Sequence, residues 1–297
     1  MAKPEVKAFF HADTSTWSYV VSDPATARAA VIDAVLDFDY KSGRTGTGSV
    51  QAIIDYVRDH DLQVEWVLET HAHADHLAAA PKVREAVGGT IAIGEGIREV
   101  QERFRKIFNF EKAFLPDGAQ FDHLFRDGDS FTVGEIEGRV IHTPGHTSDS
   151  ISYVIGDAVF VGDTLFMPDA GTARCDFPGG DAGVMYRSIQ KLFALPDETR
   201  MFMCHDYQPG GREPLFQTTV GEQKRDNIHV GTGKSEAAFV HMRNERDAGL
   251  AMPRLIVPSI QVNIRAGEFP APEDNGTVYL KVPVDTLGKP TGKPETG

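Results

Sequence analysis

Only two cysteines, Cys175 and Cys204, occur in 297 residues, which excludes a disulfide framework and makes a reduced, cytoplasmic setting the expectation. Positive charge is also scarce. Lys and Arg total 30 against 43 Asp and Glu, a net charge of −13. Binding along a phosphate backbone needs clustered cations, so nucleic acid is not an expected partner. No apolar run approaches the length of a membrane span, and no apolar signal-type segment follows Met1. Ser/Gly-rich linkers, charge blocks and internal repeats are missing as well. The length suits one large domain or two, with a substantial core. We read residues 1–287 as a single domain with a C-terminal extension from about 234, whose role the sequence does not give. The tail 288–297 is rich in Pro, Gly and Lys and is expected to be disordered.

What the chain does have is histidine in a pattern. Residues 70–76 read Thr-His-Ala-His-Ala-Asp-His, directly after the apolar run Val64–Leu68. His71, His73, Asp75 and His76 are crowded into one tight loop. Imidazoles gain nothing from such crowding as neutral groups and repel one another when charged, so a metal ion explains it better than a polar surface loop. Three further donors follow short apolar runs: His146 in His-Thr-Pro-Gly-His-Thr, Asp163 in Gly-Asp-Thr, and His205 in Met-Cys-His-Asp. Strand ends delivering His, His, Asp and His to one sheet edge would assemble a site from distant residues.

The remaining pattern is mixed. Val6–Phe10, Trp17–Val21 and Ala30–Val35 read as strands. Val50, Ile53, Ile54 and Val57 fall at helical spacing and predict a helix over 49–60. Helices are also expected over 77–87, stopped by Gly88-Gly89, and over 95–108, 182–194 and 235–247. Strands are expected at 90–93, 137–142, 151–155, 157–161 and 199–204. Phe104, Phe108, Phe110 and Phe114 read as core in preference to a loop-anchoring patch.

Taken together, His-x-His-x-Asp-His, Gly-His-Thr, Gly-Asp-Thr and a late His resemble the metallo-β-lactamase superfamily, over roughly residues 8 to 230. The resemblance implies an α+β fold: an αββα sandwich of two mixed β-sheets flanked by helices, with metal at one edge. Two branches fit the same seven side chains. In the persulfide dioxygenase branch one Fe(II) is held by His71, His146 and Asp163, a 2-His-1-carboxylate facial triad with open positions for substrate and O2. His73, Asp75, His76 and His205 then orient ligands and water by hydrogen bonds. In the hydroxyacylglutathione hydrolase branch two Zn(II) share a bridging Asp, and the same four residues become ligands.

The segment Gly171-Thr172-Ala173-Arg174-Cys175-Asp176-Phe177 resembles the Gly-Arg-Thr-Asp-Phe segment of the glutathione persulfide dioxygenases, in which the Arg faces glutathione. Likewise, His205-Asp206-Tyr207 resembles that branch's His-Asp-Tyr. Arg174 and Tyr207 are therefore the substrate-binding residues the resemblance implies. The expected reaction oxidises glutathione persulfide, or a similar small persulfide, with O2 to sulfite and free thiol. Where that branch often has Asn-Pro-Arg, this chain has Asn227-Ile228-His229, which removes a second cationic contact. Thioester hydrolysis is the alternative, and a non-catalytic metal-binding module a more distant one. The oligomeric state stays open, a homo-oligomer included. Cys175 reads as a buried small hydrophobe before a reactive thiol, Asp149 as a solvated loop residue, and Gly179-Gly180 as a turn.

Overall fold

A computed structural model describes residues 3–288. Except for Gly288, the expected disordered tail lies outside the described residues. The N-terminal half builds strands β1 (Glu5–His11), β2 (Thr16–Asp23), β3 (Arg28–Ile32), β4 (Val35–Asp39), β5 (Arg44–Gly46), β6 (Gln63–Leu68), β7 (Leu77–Ala78), β8 (Thr90–Gly94) and β9 (His123–Phe125). The second half adds β10 (Ser130–Val133), β11 (Ile136–His142), β12 (Ile151–Ile155), β13 (Ala158–Phe160), β14 (Arg200–Phe202) and β15 (Gln217–Thr219). Two six-stranded sheets result, ordered β1-β2-β3-β6-β8-β9 and β10-β11-β12-β13-β14-β15; β5-β4-β7 forms a small third sheet. Both large sheets are mixed, since β3, β6, β8 and β9 pair in parallel, as do β13 and β14.

Alternation along each strand decides which face a residue serves. Tyr19, Val21, Ala30 and Ile32 meet Tyr153, Phe160 and Phe202 between the sheets. Their neighbours Val20, Ala29 and Val31 point the other way, under the helices of the first sheet. Those helices are α1 (Gly48–Asp59), α2 (Ala80–Val87) and α3 (Ile97–Phe108). The expected periodicity of α1 is what the fold uses: Val50, Ile53, Ile54 and Val57 are its buried residues. Against the second sheet lie α4 (Ala182–Phe193), α5 (Val220–Asp226) and α6 (Glu236–Ala248), with Met185, Ile189, Leu192 and Phe239 packed on Val159 and Met201. The layers therefore run helix, sheet, sheet, helix. The aromatics Phe104, Phe108, Phe110 and Phe114 are core.

The C-terminal extension is divided between the two outer layers. While α6 joins the second, α7 (Ile256–Asn263) returns to the first and buries Ile256, Ile260 and Val262 there. Two segments depart from the sequence reading. Ala30–Val35 is not one strand, because Asp33 takes a left-handed φ of 51° and turns the chain between β3 and β4. The 77–87 helix begins only at Ala80, since Leu77 and Ala78 pair with β4.

Both large sheets meet along one edge. The Trp17 N–H donates to the Cys204 carbonyl at 2.7 Å, the Asp206 N–H to the Ser15 carbonyl at 3.0 Å, and the Ile151 N–H to the Thr70 carbonyl at 2.9 Å. Loops from both sheets are pinned there, which fixes the positions of the side chains they carry.

Candidate metal centre

The seven donors converge on that edge. The loop after β6 carries His71, His73, Asp75 and His76; His146 follows β11, Asp163 follows β13 and His205 follows β14. Two glycines permit the approach. Gly162 has φ +52°, and a Cβ there would lie 2.7 Å from Thr70 Oγ1. Gly145 has φ +141°, and a Cβ would lie 2.4 Å from the Met185 backbone. Only glycine lets the Asp163 turn and the His146 loop come this close.

Donor atoms fall into two groups. Those of His71, His146 and Asp163 lie within 4.8 Å of one another, as do those of His73, Asp75, His76 and His205. Asp163 reaches both: Oδ2 is 3.5 Å from His146 Nε2 and Oδ1 is 3.3 Å from His205 Nε2. Asp75 Oδ2 also lies 3.3 Å from His205 Nε2.

The hydrogen-bond pattern assigns each ring one anchored and one inward nitrogen. His146 Nδ1–H donates to the Arg174 carbonyl at 2.8 Å. His73 Nε2 is 3.0 Å from Asp33 Oδ1 and 3.4 Å from Glu69 Oε2, and carboxylates only accept, so the proton sits on Nε2. The Thr70 hydroxyl donates to Asp33 Oδ2 at 2.9 Å, and its lone pair faces His71 Nδ1 at 3.1 Å. His205 Nδ1 faces the Ser15 carbonyl at 3.3 Å, and His76 Nδ1 faces Thr16 Oγ1 at 3.4 Å. Six inward atoms are buried without a hydrogen-bond partner: His71 Nε2, His73 Nδ1, Asp75 Oδ2, His76 Nε2, Asp163 Oδ1 and His205 Nε2. Buried polar atoms are costly unless satisfied, and convergent lone pairs with the opposite ring atom anchored are what metal ions require. The residues fit a metal.

Electrostatics agree for His71 and His76, whereas at His205 burial is outweighed by Asp163 and Asp75, which raise its value. Burial, reinforced by the neighbouring imidazoles, holds His71 well below the ordinary histidine value, and holds His76 at about 4. Both rings offer lone pairs at neutral pH. Burial opposes a proton on His73 too, but Asp33 and Glu69 outweigh it and raise this ring well above the ordinary value. Burial pushes Glu69 up to about 7. Burial also disfavours the Asp33 carboxylate, yet His73 and the Thr70 donors hold it below its ordinary value.

Several supporting residues were not legible as such in the sequence. Asp33 interrupts an apolar run, which was its only signal. Asp149 is not a solvated loop residue: it is fully buried and accepts the Ala72 N–H at 2.8 Å, tying the His146 loop to the His71 loop. Asn263 of α7 donates to the His73 and His76 carbonyls at 2.8 and 2.7 Å and accepts the Ala78 N–H at 2.8 Å. Nothing in the local sequence links Asn263 to a loop nearly 190 residues away. Cys175 is buried, and burial pushes its thiol up, which agrees with the small-hydrophobe reading.

A cavity of about 610 Å³ opens over Asp75, His146 and Asp163, with Phe166, Phe177 and Tyr207 in its wall. Tyr207 stacks on the His205 ring at 5.7 Å. Arg174 also lines the cavity, but its fork is taken by Asp176 at 2.6 and 2.8 Å and by the Ala251 carbonyl at 2.6 Å. His229 is buried and accepts the Thr172 N–H at 3.0 Å, so it braces the 171–177 segment.

Residues 12–205 match the family model described as the metallo-β-lactamase superfamily, and this chain belongs to that family. Its relatives carry different names. A "Beta-lactamase hydrolase-like protein" of Agrobacterium fabrum is 54% identical over 96% of this chain, which spans 66% of that protein, just under two thirds. "Glyoxylase B2" of Dictyostelium discoideum is 45% identical over 96% of this chain and 98% of its own length. At greater distance, "Persulfide dioxygenase ETHE1, mitochondrial" of Bos taurus is 26% identical over 88% of both chains. A "Hydroxyacylglutathione hydrolase" of Brucella ovis is 31% identical over 65% of this chain and 63% of its own. The crystal structure of ETHE1 from Myxococcus xanthus superimposes with a TM-score of 0.70 at 32% identity, covering 89% of this chain and all of that one. The fold is thus the αββα sandwich of this superfamily. Among the described residues no helix is long and apolar enough to cross a membrane.

Proposed function

We propose that this protein is a metal-dependent persulfide dioxygenase that oxidises the outer sulfur of glutathione persulfide or a similar small persulfide. The overall reaction balances as persulfide, O2 and water giving thiol, sulfite and two protons. The observation that carries this reading is the likeness to proteins named ETHE1: the Myxococcus structure is 32% identical with a TM-score of 0.70 over its whole length, and the bovine persulfide dioxygenase is similar over 88% of both chains. In this chain α6 and the segment after it wall the cavity, and Asn263 of α7 holds the His71 loop from behind.

In this reading His71, His146 and Asp163 hold one Fe(II), which when bound supplies the one-electron chemistry that dioxygen needs. The protein's part is positioning. Asp33 and Thr70 fix the His71 tautomer, and the Arg174 carbonyl fixes that of His146. Phe166, Phe177 and Tyr207 form an apolar, aromatic part of the wall beside the donors, where a sulfur anion would lose part of its water. His73, Asp75, His76 and His205 act as hydrogen-bonding neighbours.

A second reading, thioester hydrolysis with two zinc ions, has specific support. The relatives' names back it better than the first: two of high identity are named a hydrolase-like protein and a glyoxylase. The four-donor group beside the first three, with Asp163 reaching both, would also serve two metals.

Metal stoichiometry and an oxygen electrode separate the readings. Protein purified without oxygen should hold one iron per chain and consume O2 with glutathione persulfide. Asp75→Asn and His205→Ala should keep that iron while turnover or metal affinity falls roughly ten- to a hundredfold, as when a ligand's hydrogen-bond partner is lost. A parent with two metals, variants with one, and acylglutathione hydrolysis without oxygen uptake would establish the second reading instead.

A further inference from the structure

Four arginines line the cavity: Arg174, Arg243, Arg246 and Arg254. Asp13, Asp75, Asp163 and Asp169 line it as well, so what decides a role for each arginine is whether its fork is already paired. Two of them are committed to the protein. Arg174 is held by Asp176 and the Ala251 carbonyl and rides over the Phe177 ring at 4.9 Å. Arg243 is buried, grips Asp247 at 2.6 and 3.0 Å and donates to the Thr172 carbonyl at 3.0 Å. Asp247 in turn accepts the Cys175 N–H at 2.8 Å. These two guanidinium groups fasten the C-terminal segment to the 171–177 loop and so build the wall.

The other pair differs. Arg246, in the last turn of α6, is exposed and makes no ion pair among the described residues. Arg254 makes none either; it stacks over the Tyr40 ring at 5.0 Å and has one long contact, 3.4 Å, to the Asp13 carbonyl. Both belong to the C-terminal segment, while the metal donors form the cavity floor. A guanidinium fork matches a carboxylate in two parallel hydrogen bonds. Two available forks fit a molecule that presents its sulfur to the floor and two carboxylates to the C-terminal wall.

We propose that Arg246 and Arg254 are a carboxylate clamp for the thiol carrier, and that Arg174 positions the loop and leaves the carboxylates to them. The proposal rests on the function above only in taking the carrier to be a dicarboxylate thiol such as glutathione, and holds for either reaction. It supplies the cationic contact that His229 lacks.

Binding of S-methylglutathione, which is neither a persulfide nor a thioester, tests the clamp without turnover. By calorimetry Arg246→Gln and Arg254→Gln should each weaken it roughly tenfold, as for a lost charge-assisted hydrogen bond, and the double variant further. The diethyl ester of the probe should bind the parent as weakly as the free acid binds the double variant. Arg225→Gln, which removes the same charge outside the cavity, should bind like the parent. Parental affinity in both single variants and the double, equal affinity for acid and ester, or no binding to the parent would overturn the clamp. Arginine-dependent binding without turnover of either substrate would keep the clamp and remove the proposed reaction.

Discussion

His71→Ala is expected to abolish turnover and empty the three-donor group of its metal. His71 is 1% exposed, and its Nε2 is one of three donors that converge there. Losing a neighbour that merely orients a ligand costs roughly ten- to a hundredfold in affinity or rate. Losing a ligand should cost more, because two donors remain and the third position opens to water. The folded state provides the control. Metal bound only by the native protein stabilises it, so a chelator should lower the melting temperature of the parent. If His71 is a ligand, the chelator should barely move the variant's transition, and metal analysis of the dialysed variant should read near zero for that group. A variant that keeps parental metal and parental rate would remove His71 from the site.

The second large effect is expected far from the donors in sequence. Asn263→Leu keeps the approximate volume of the side chain but removes the amide that serves three backbone groups. The His73 and His76 carbonyls lose their donor and the Ala78 N–H loses its acceptor. Each buried group left unpaired costs about 1–3 kcal/mol, so a total near or above ~3 kcal/mol is expected. In urea the midpoint should shift down with little change in slope. Because His73 and His76 sit on the loop so released, metal affinity should fall together with stability. Asn263→Asp retains the acceptor for Ala78 but sets a carboxyl against two carbonyls, so it should not rescue. An unchanged midpoint in Asn263→Leu would show that the loop holds itself.

The sheet strands and the donors were the legible part, for a local reason. A strand with one face between the sheets and one under helices writes its alternation into adjacent residues, as at Tyr19, Val20 and Val21. The helix α1 writes its spacing within two turns. A metal site likewise demands residue types that few other roles explain, so His71, His73, Asp75 and His76 stand out in a single loop. Where the reading erred, the deciding contact was not local. Ala30–Val35 looks like one strand by composition; the Asp33 turn matters because Thr70 and His73 take its carboxylate. Asp149 looks like a solvated residue until the Ala72 N–H is brought to it.

By itself the sequence determined the spacing of strands and helices and seven candidate donors, because those depend on periodicity and on the chemistry of single side chains; the superfamily and its αββα layering followed from the resemblance those donor motifs carry. Only the tertiary structure set the two donor groups side by side with Asp163 reaching both, fixed which nitrogen of each ring faces inward, and turned the C-terminal extension into a wall and a brace. It also separated the two arginines already committed to the protein from the two that line the cavity without an ion pair. These outcomes depend on hydrogen bonds and ion pairs between residues tens to hundreds of positions apart. Such partners are chosen by the packing of the two sheets and their helices, which no local pattern encodes.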